Sequence, residues 1–244
     1  IKRIDIAKAE ASKGVRAVIT GDFSEILTGS MIADRPPIAK DKVRHFGEVV
    51  ALVVADKEDE ALAAVNLIEV EYEPLPVVNS IEDALKDNPT LIHEDLGRYT
   101  YPSAEVYPVA DSNISNHVKI RKGSIEYAWS ESDVVVEYEF NLPQADHLAM
   151  ETRNAKCQIS PDGTVNIYTS TQAPFGVKEE ISVTYGIPEG KIIVHTPLVG
   201  GAYGGKASVT VEFLAYLASL SVGGKMVTIG NTREEDIGSS PSKL

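Results

Sequence analysis

Cysteine is almost missing from this chain. Its 244 residues hold one, Cys157, so no disulfide can close within it and no cysteine cluster can bind zinc or an iron–sulfur centre. A reducing, cytoplasmic setting is the expectation from that count. Basic residues are also short: 23 Lys and Arg stand against 36 Asp and Glu, a net charge of −13. They are scattered rather than gathered into a patch, and such a surface repels a nucleic-acid backbone or an anionic lipid. No nucleic acid and no membrane is therefore expected as a partner. No apolar run approaches the ~18 residues of a membrane span. The opening "IKRIDIAKAE" lacks the pattern of a signal peptide, and there are no repeats or low-complexity tracts. An initiating Met is absent while a strand is under way at Ile1, so a piece of a longer polypeptide is expected.

What remains is an ordinary globular composition, 43% hydrophobic and 24% charged, sufficient for one large domain or two moderate ones. "IKRIDIAKAEASKGVRAVITGDF" reads as strand, short helix, glycine turn and strand. A Pro-rich, charged loop over residues 34–41 follows. "GEVVALVVAD" is a continuous apolar run, the mark of a strand covered on both faces. A helix then opens on the acids Glu58–Glu60, and a strand over residues 68–72 stops at Pro74 and Pro76. Residues 1–78 form a compact α/β unit on this reading, and residues 79–116 a connector. From about Val118 the pattern turns strand-rich: "DVVVEYEFNL", "NAKCQIS", and "TVNIYTSTQ" after the turn "SPDG". A helix ending at Gly186 and the strand "KIIVHTPLV" follow. The helix over residues 209–222 should close at Gly223–Gly224, with one face on its own sheet and another left for partners outside the chain. The fold class is α+β, a mixed α/β arrangement.

"PLVGGAYGGKAS", residues 197–208, nearly spells a phosphate-binding P-loop, but Ala207 stands where that loop needs a Ser or Thr hydroxyl. Its place between a strand and a helix suits an anion held on backbone N–H groups at a helix N-terminus. A plain strand–helix turn is the alternative. "STQAPF" admits two readings. Thr171 and Pro174 suit a helix start, while Gln172, at a strand terminus, offers an amide to a ligand in the same crevice. His147 and Glu151 lie four apart and would share a helix face as a metal pair. The flanks read as strand, which favours a buried ion pair or hydrogen-bonding group. Cys157 lies in an alternating strand and reads as core. Glu234–Asp236 read as a helix start and a solvated face.

Four stretches in order, "VRHFGEVVALVVADKEDEALAAVNLIEVEYEPLPVV", "ADHLAMETRNA", "IYTSTQAPF" and "VGGAYGGKAS", resemble the molybdenum-binding large subunit of the xanthine dehydrogenase/aldehyde oxidase family. The closing "TREED" fits a recurrent segment of the same subunits. The resemblance implies an α/β-hammerhead domain over residues 1–78 and, over residues 117–244, the first part of a molybdopterin-binding domain, as an N-terminal fragment or split subunit. It implies hydroxylation of a purine-like N-heterocycle or an aldehyde with water as oxygen source. The cofactor is molybdenum–molybdopterin, usually a cytosine dinucleotide, and electrons leave through iron–sulfur clusters and flavin (FAD) on partner subunits or domains. By resemblance Gly201, Ala202, Tyr203 and Gly204 line the cofactor site, and Gln172 places its amide near the metal's oxo group. Ala207 replaces a glutamate of xanthine-oxidising members, and the family's catalytic base falls beyond Leu244. A cofactor-free assembly module of the same fold remains the alternative reading.

Overall fold

The computed structural model describes residues 1–143 and 145–239. Its N-terminal part consists of β1 (Arg3–Asp5), α1 (Ala7–Glu10), β2 (Val15–Thr20), β3 (Ala51–Ala55), α2 (Glu58–Val65) and β4 (Glu69–Glu71). Two antiparallel ribbons result, β1 with β4 and β2 with β3. The apolar run that carries β3 is covered on both faces, as its composition predicts, but thinly. Val53 packs with Ala9, Val18 and Ala64, while Leu52 packs with Ile19 and Ile38. Every residue of β3 stays partly exposed, because a two-stranded ribbon offers little to bury it.

Two short helices follow, α3 (Ile81–Leu85) and α4 (Ile125–Glu131). Each opens on a serine hydroxyl: Ser80 accepts from the Asp83 N–H at 3.1 Å, and Ser124 from the Tyr127 N–H at 3.2 Å. The strand expected over "DVVVEYEFNL" is not formed. Residues 134–142 belong to no strand, and Val134, Val136, Tyr138, Phe140 and Leu142 are 67–84% exposed. A strand needs partners for its N–H and C=O groups, and sequence periodicity does not report whether a partner is at hand.

The larger sheet holds β5 (Asn154–Ile159), β6 (Val165–Thr169), β7 (Ile192–His195) and β8 (Val227–Gly230) in the order β7-β6-β5-β8. β5 and β6 form an antiparallel hairpin across the "SPDG" turn, where the Gly163 N–H reaches the Ser160 carbonyl at 2.8 Å. β6 and β7 run parallel, as a crossover through α5 (Pro174–Tyr185) requires. Pro174 opens that helix, and Gly186 closes it in the left-handed conformation, φ 65°. Strand alternation puts Ala155, Cys157, Val165 and Ile167 on one face, under Val177 and Ile181 of α5 and Ala215 of α6 (Val211–Ser221). Cys157 is core, and burial pushes its thiol up to about 12. β8 and α7 (Arg233–Gly238) complete the described chain, β8 without an expectation from the sequence.

The second face of α6 corrects an expectation. Leu214 and Leu217 pack against Ile19 and Ile38, with Val49 and Leu52 alongside, so the N-terminal part covers the face expected to stay open. Such a helix reads as apolar nearly all round because it is packed on two sides.

Candidate functional site

The glycine loop leaves β7 and is shaped by its own backbone. The Gly205 N–H donates to the Ala202 carbonyl at 2.8 Å and the Ala207 N–H to the Gly204 carbonyl at 3.2 Å. Between these, Gly201 (φ 98°), Tyr203 (φ 53°) and Gly204 (φ 96°) take positive φ, which only glycine adopts freely. Among the described residues nothing accepts from the consecutive N–H groups of Gly201, Ala202 and Tyr203. Successive amides in such a conformation make a concave set of donors, suited to an anionic or oxo-bearing ligand. Ala202 is buried, whereas Tyr203 stands 75% exposed.

Gln172 joins the loop from the end of β6. Its backbone N–H donates to the Lys206 carbonyl at 3.0 Å, and its side-chain Oε1 accepts from the Gly204 N–H at 3.0 Å. That second bond fixes which end of the amide is which, because a backbone N–H must meet an acceptor. The Nε2 group is left as a donor with no partner among the described residues. Thr171 does not cap α5. Its hydroxyl donates to the Lys206 carbonyl at 3.2 Å and accepts from the Ala173 N–H at 3.0 Å, stitching the two segments together.

The charges show why this is no P-loop. Lys206, 3% exposed, is turned inward, and its ammonium donates to Glu151 Oε2 at 2.8 Å and to Ser170 Oγ at 2.9 Å. It is therefore not free to grip a phosphate. The N-terminus of α6 is not an anion seat either. Glu212 places its own carboxylate there, accepting from the Thr210 N–H at 2.9 Å and from the Thr169 hydroxyl at 2.6 Å. The donors lie in the loop, not on the helix. Burial pushes the Glu151 carboxyl up, but hydrogen bonds from Lys206, Ser170, the Gly200 N–H and Asn154 outweigh it and hold it at about 2.

Residues missed in the sequence complete the support. Arg153, nearly buried, donates through Nε and Nη2 to the Gly205 carbonyl at 3.0 and 2.7 Å. Its Nη1 donates to Asp236 Oδ1 at 3.1 Å. The solvated face expected for Asp236 is also corrected, since this residue is buried at 5% exposure. A signal was present: Thr232 and Glu235 form a capping box, which fixes where α7 starts and hence which residues of it turn inward. Among the described residues no group of three or more His, Cys, Asp or Glu side chains is placed to hold a metal ion, and Glu151 is engaged by Lys206 rather than by His147. The His147 ring lies under the loop, so that a Cβ on Gly205 would come within 2.9 Å of Nδ1. The void there is about 10 Å³, room for no more than one water. No described helix is long and apolar enough to cross a membrane.

Comparison with known proteins gives these features a setting. A sequence profile for the molybdopterin cofactor-binding domain matches residues 106–243, and one for the aldehyde oxidase and xanthine dehydrogenase a/b hammerhead domain matches residues 1–76. A probable xanthine dehydrogenase component of Bacillus subtilis is 33% identical over 232 residues, covering 94% of this chain and 29% of that protein. The crystal structure of quinoline 2-oxidoreductase from Pseudomonas putida 86 matches at 31% identity with a TM-score of 0.75, over 96% of this chain and 29% of that one. CO dehydrogenase from Oligotropha carboxidovorans matches at 26% identity with a TM-score of 0.82, over 97% of this chain and 30% of that one. This chain spans about three tenths of the length of each.

Proposed function

The chain belongs to the xanthine dehydrogenase and aldehyde oxidase family, and from that premise we propose that it forms one wall of a molybdenum–molybdopterin site in an oxidoreductase. The observation that carries this reading is the orientation of Gln172. With Oε1 held by the Gly204 N–H, the amide presents only N–H donors outward, beside the unused N–H groups of Gly201, Ala202 and Tyr203. Such a set fits an electron-rich cofactor and would repel a cation. The carboxylate that braces the loop, Glu151, is neutralised by Lys206 and does not oppose that charge. When bound, the cofactor supplies the two-electron oxidation of a substrate carbon, with water as the oxygen source.

The chain's own residues hold and orient. Gly201, Ala202 and Tyr203 offer backbone donors, Gly204 fixes Gln172, and Gln172 offers its amide. Glu151 is not the base, since a carboxyl held at about 2 and tied to an ammonium is a poor proton acceptor near neutrality. We place the base, the rest of the molybdenum-binding domain, and the iron–sulfur and flavin (FAD) carriers in the remainder of the assembly, and take the cofactor as the cytosine dinucleotide form. By the resemblance, Ala207 offers only a methyl group where xanthine-oxidising members carry a glutamate, so we do not assign purine positioning to this side chain and keep the substrate class as an N-heterocycle or an aldehyde.

The test is Gln172→Ala in the complete enzyme. Losing a hydrogen bond to a charged group, about 1.5–3 kcal/mol, should lower turnover per bound molybdenum roughly ten- to a hundred-fold with the thermal midpoint unchanged. Unchanged turnover per molybdenum would remove Gln172 from the site. An assembled complex that binds no molybdenum would establish the scaffold reading instead.

A further inference from the structure

We propose that Glu151 and Arg153, two positions apart in the segment that leads into β5, are positioning residues that hold the glycine loop in its donor-presenting shape. The inference deepens the functional reading and rests on it, because the loop's shape matters to catalysis only if the loop receives the cofactor.

Glu151 draws together the loop's two ends. Its Oε2 accepts from the Gly200 N–H at 2.7 Å, at the start, and from Lys206 Nζ at 2.8 Å, at the finish. Its backbone N–H donates back to the Gly200 carbonyl at 3.1 Å. Ser170 donates to the same oxygen, which joins the segment bearing Gln172 to the brace. The approach is close enough that a Cβ on Gly200 would lie 2.6 Å from Glu151 Cβ. Arg153 grips one residue earlier than Lys206. Two of its donors converge on the Gly205 carbonyl, while Nη1 and its backbone N–H are anchored on Asp236. A planar guanidinium suits this task, since its donors are fixed in direction relative to one another.

The loop between these grips needs holding. Tyr203 sits at φ 53°, between glycines at positive φ, and a non-glycine residue keeps that conformation only where its surroundings over-determine it. Neither Glu151 nor Arg153 presents a free polar atom in the donor set itself. Both act through backbone groups of Gly200 and Gly205, and Glu151 also through Lys206.

Amide hydrogen exchange on the chain without cofactor tests this, with Glu151→Gln and Arg153→Lys as variants. The Gly204 and Gly205 amides, bonded to Gln172 and Ala202, should exchange about ten-fold faster or more in each variant. Amides of the β5–β6 ladder should keep their rates. If Arg153→Lys fails to fold, Asp236→Asn, which loosens the same guanidinium, takes its place. Unchanged loop exchange in either variant, or equal acceleration of loop and ladder, overturns the proposal. The readout needs no bound cofactor, so a failure here is distinct from a failure of the Gln172 experiment.

Discussion

Glu180, on α5, is a carboxylate whose surroundings oppose its charge. Burial pushes its carboxyl up, Glu212 adds repulsion, and Arg35 opposes both, leaving it at about 7. The native state therefore keeps the proton to a higher pH than an unfolded chain, whose carboxyl titrates near 4.5. The stability this confers is complete below about 4.5 and lost as pH rises through about 7. Above that, the fold carries an unwelcome charge that costs roughly 1–3 kcal/mol. Glu180→Gln should accordingly stabilise the protein by about that amount at pH 8 and much less at pH 5. Urea unfolding at the two pH values measures it, and an equal effect at both would refute the assignment. Residue-scale legibility divides along the same line. The sequence marks the glycine loop and Gln172 as neighbours of a strand end, and the Gly204 N–H to Gln172 Oε1 bond joins them, while the cofactor role proposed for them rests on the family resemblance. The inward turn of Lys206 is not marked, since Glu151 and Ser170 lie 55 and 36 residues away.

At the scale of elements, local chemistry identified what local chemistry controls. The β5–β6 hairpin, α5 with its Pro174 start and Gly186 stop, and α6 follow from alternation, caps and breakers. The burial of Asp236 depends instead on tertiary packing. The capping box of Thr232 and Glu235 orients α7 so that Asp236 meets Arg153, which lies outside the helix and far back in the chain. Both partners are almost wholly buried, so removing one strands the other's charge. Asp236→Ala should cost about 3–5 kcal/mol. Glu234→Ala, on the same short helix and exposed, should stay within about 0.5 kcal/mol. Comparing their urea midpoints is decisive, because similar losses in both would make the pair no more than helix chemistry. β8 escaped notice for another reason. Its four residues are too few to establish a period, and its pairing with β5 is what makes it a strand.

Across the whole molecule, α6 unites the two parts, with the sheet on one side and Ile19 and Ile38 on the other. The segment over residues 134–142 is the counterpart that packs against neither. Its alternation places Val134, Val136, Tyr138, Phe140 and Leu142 on a single side if the backbone is fully extended, and all five are largely exposed. Covering each such side chain gains about 1.5–3 kcal/mol. A backbone of this kind, with strand-forming residues and no strand partner, is also a template for pairing with another chain. The net charge of −13 opposes association at long range. Added salt screens that repulsion while leaving the apolar gain, so association should strengthen with ionic strength. The chain is therefore expected to self-associate reversibly as concentration rises, more strongly at about 0.5 M salt than at about 0.05 M. The double variant Val136→Lys, Phe140→Lys should restore a monomer without changing the thermal midpoint, since neither side chain contributes to the described core. Light scattering across concentration and salt decides the matter. A wild-type chain that stays monomeric throughout, or a double variant that associates equally well, would show that this face is not what drives the contact.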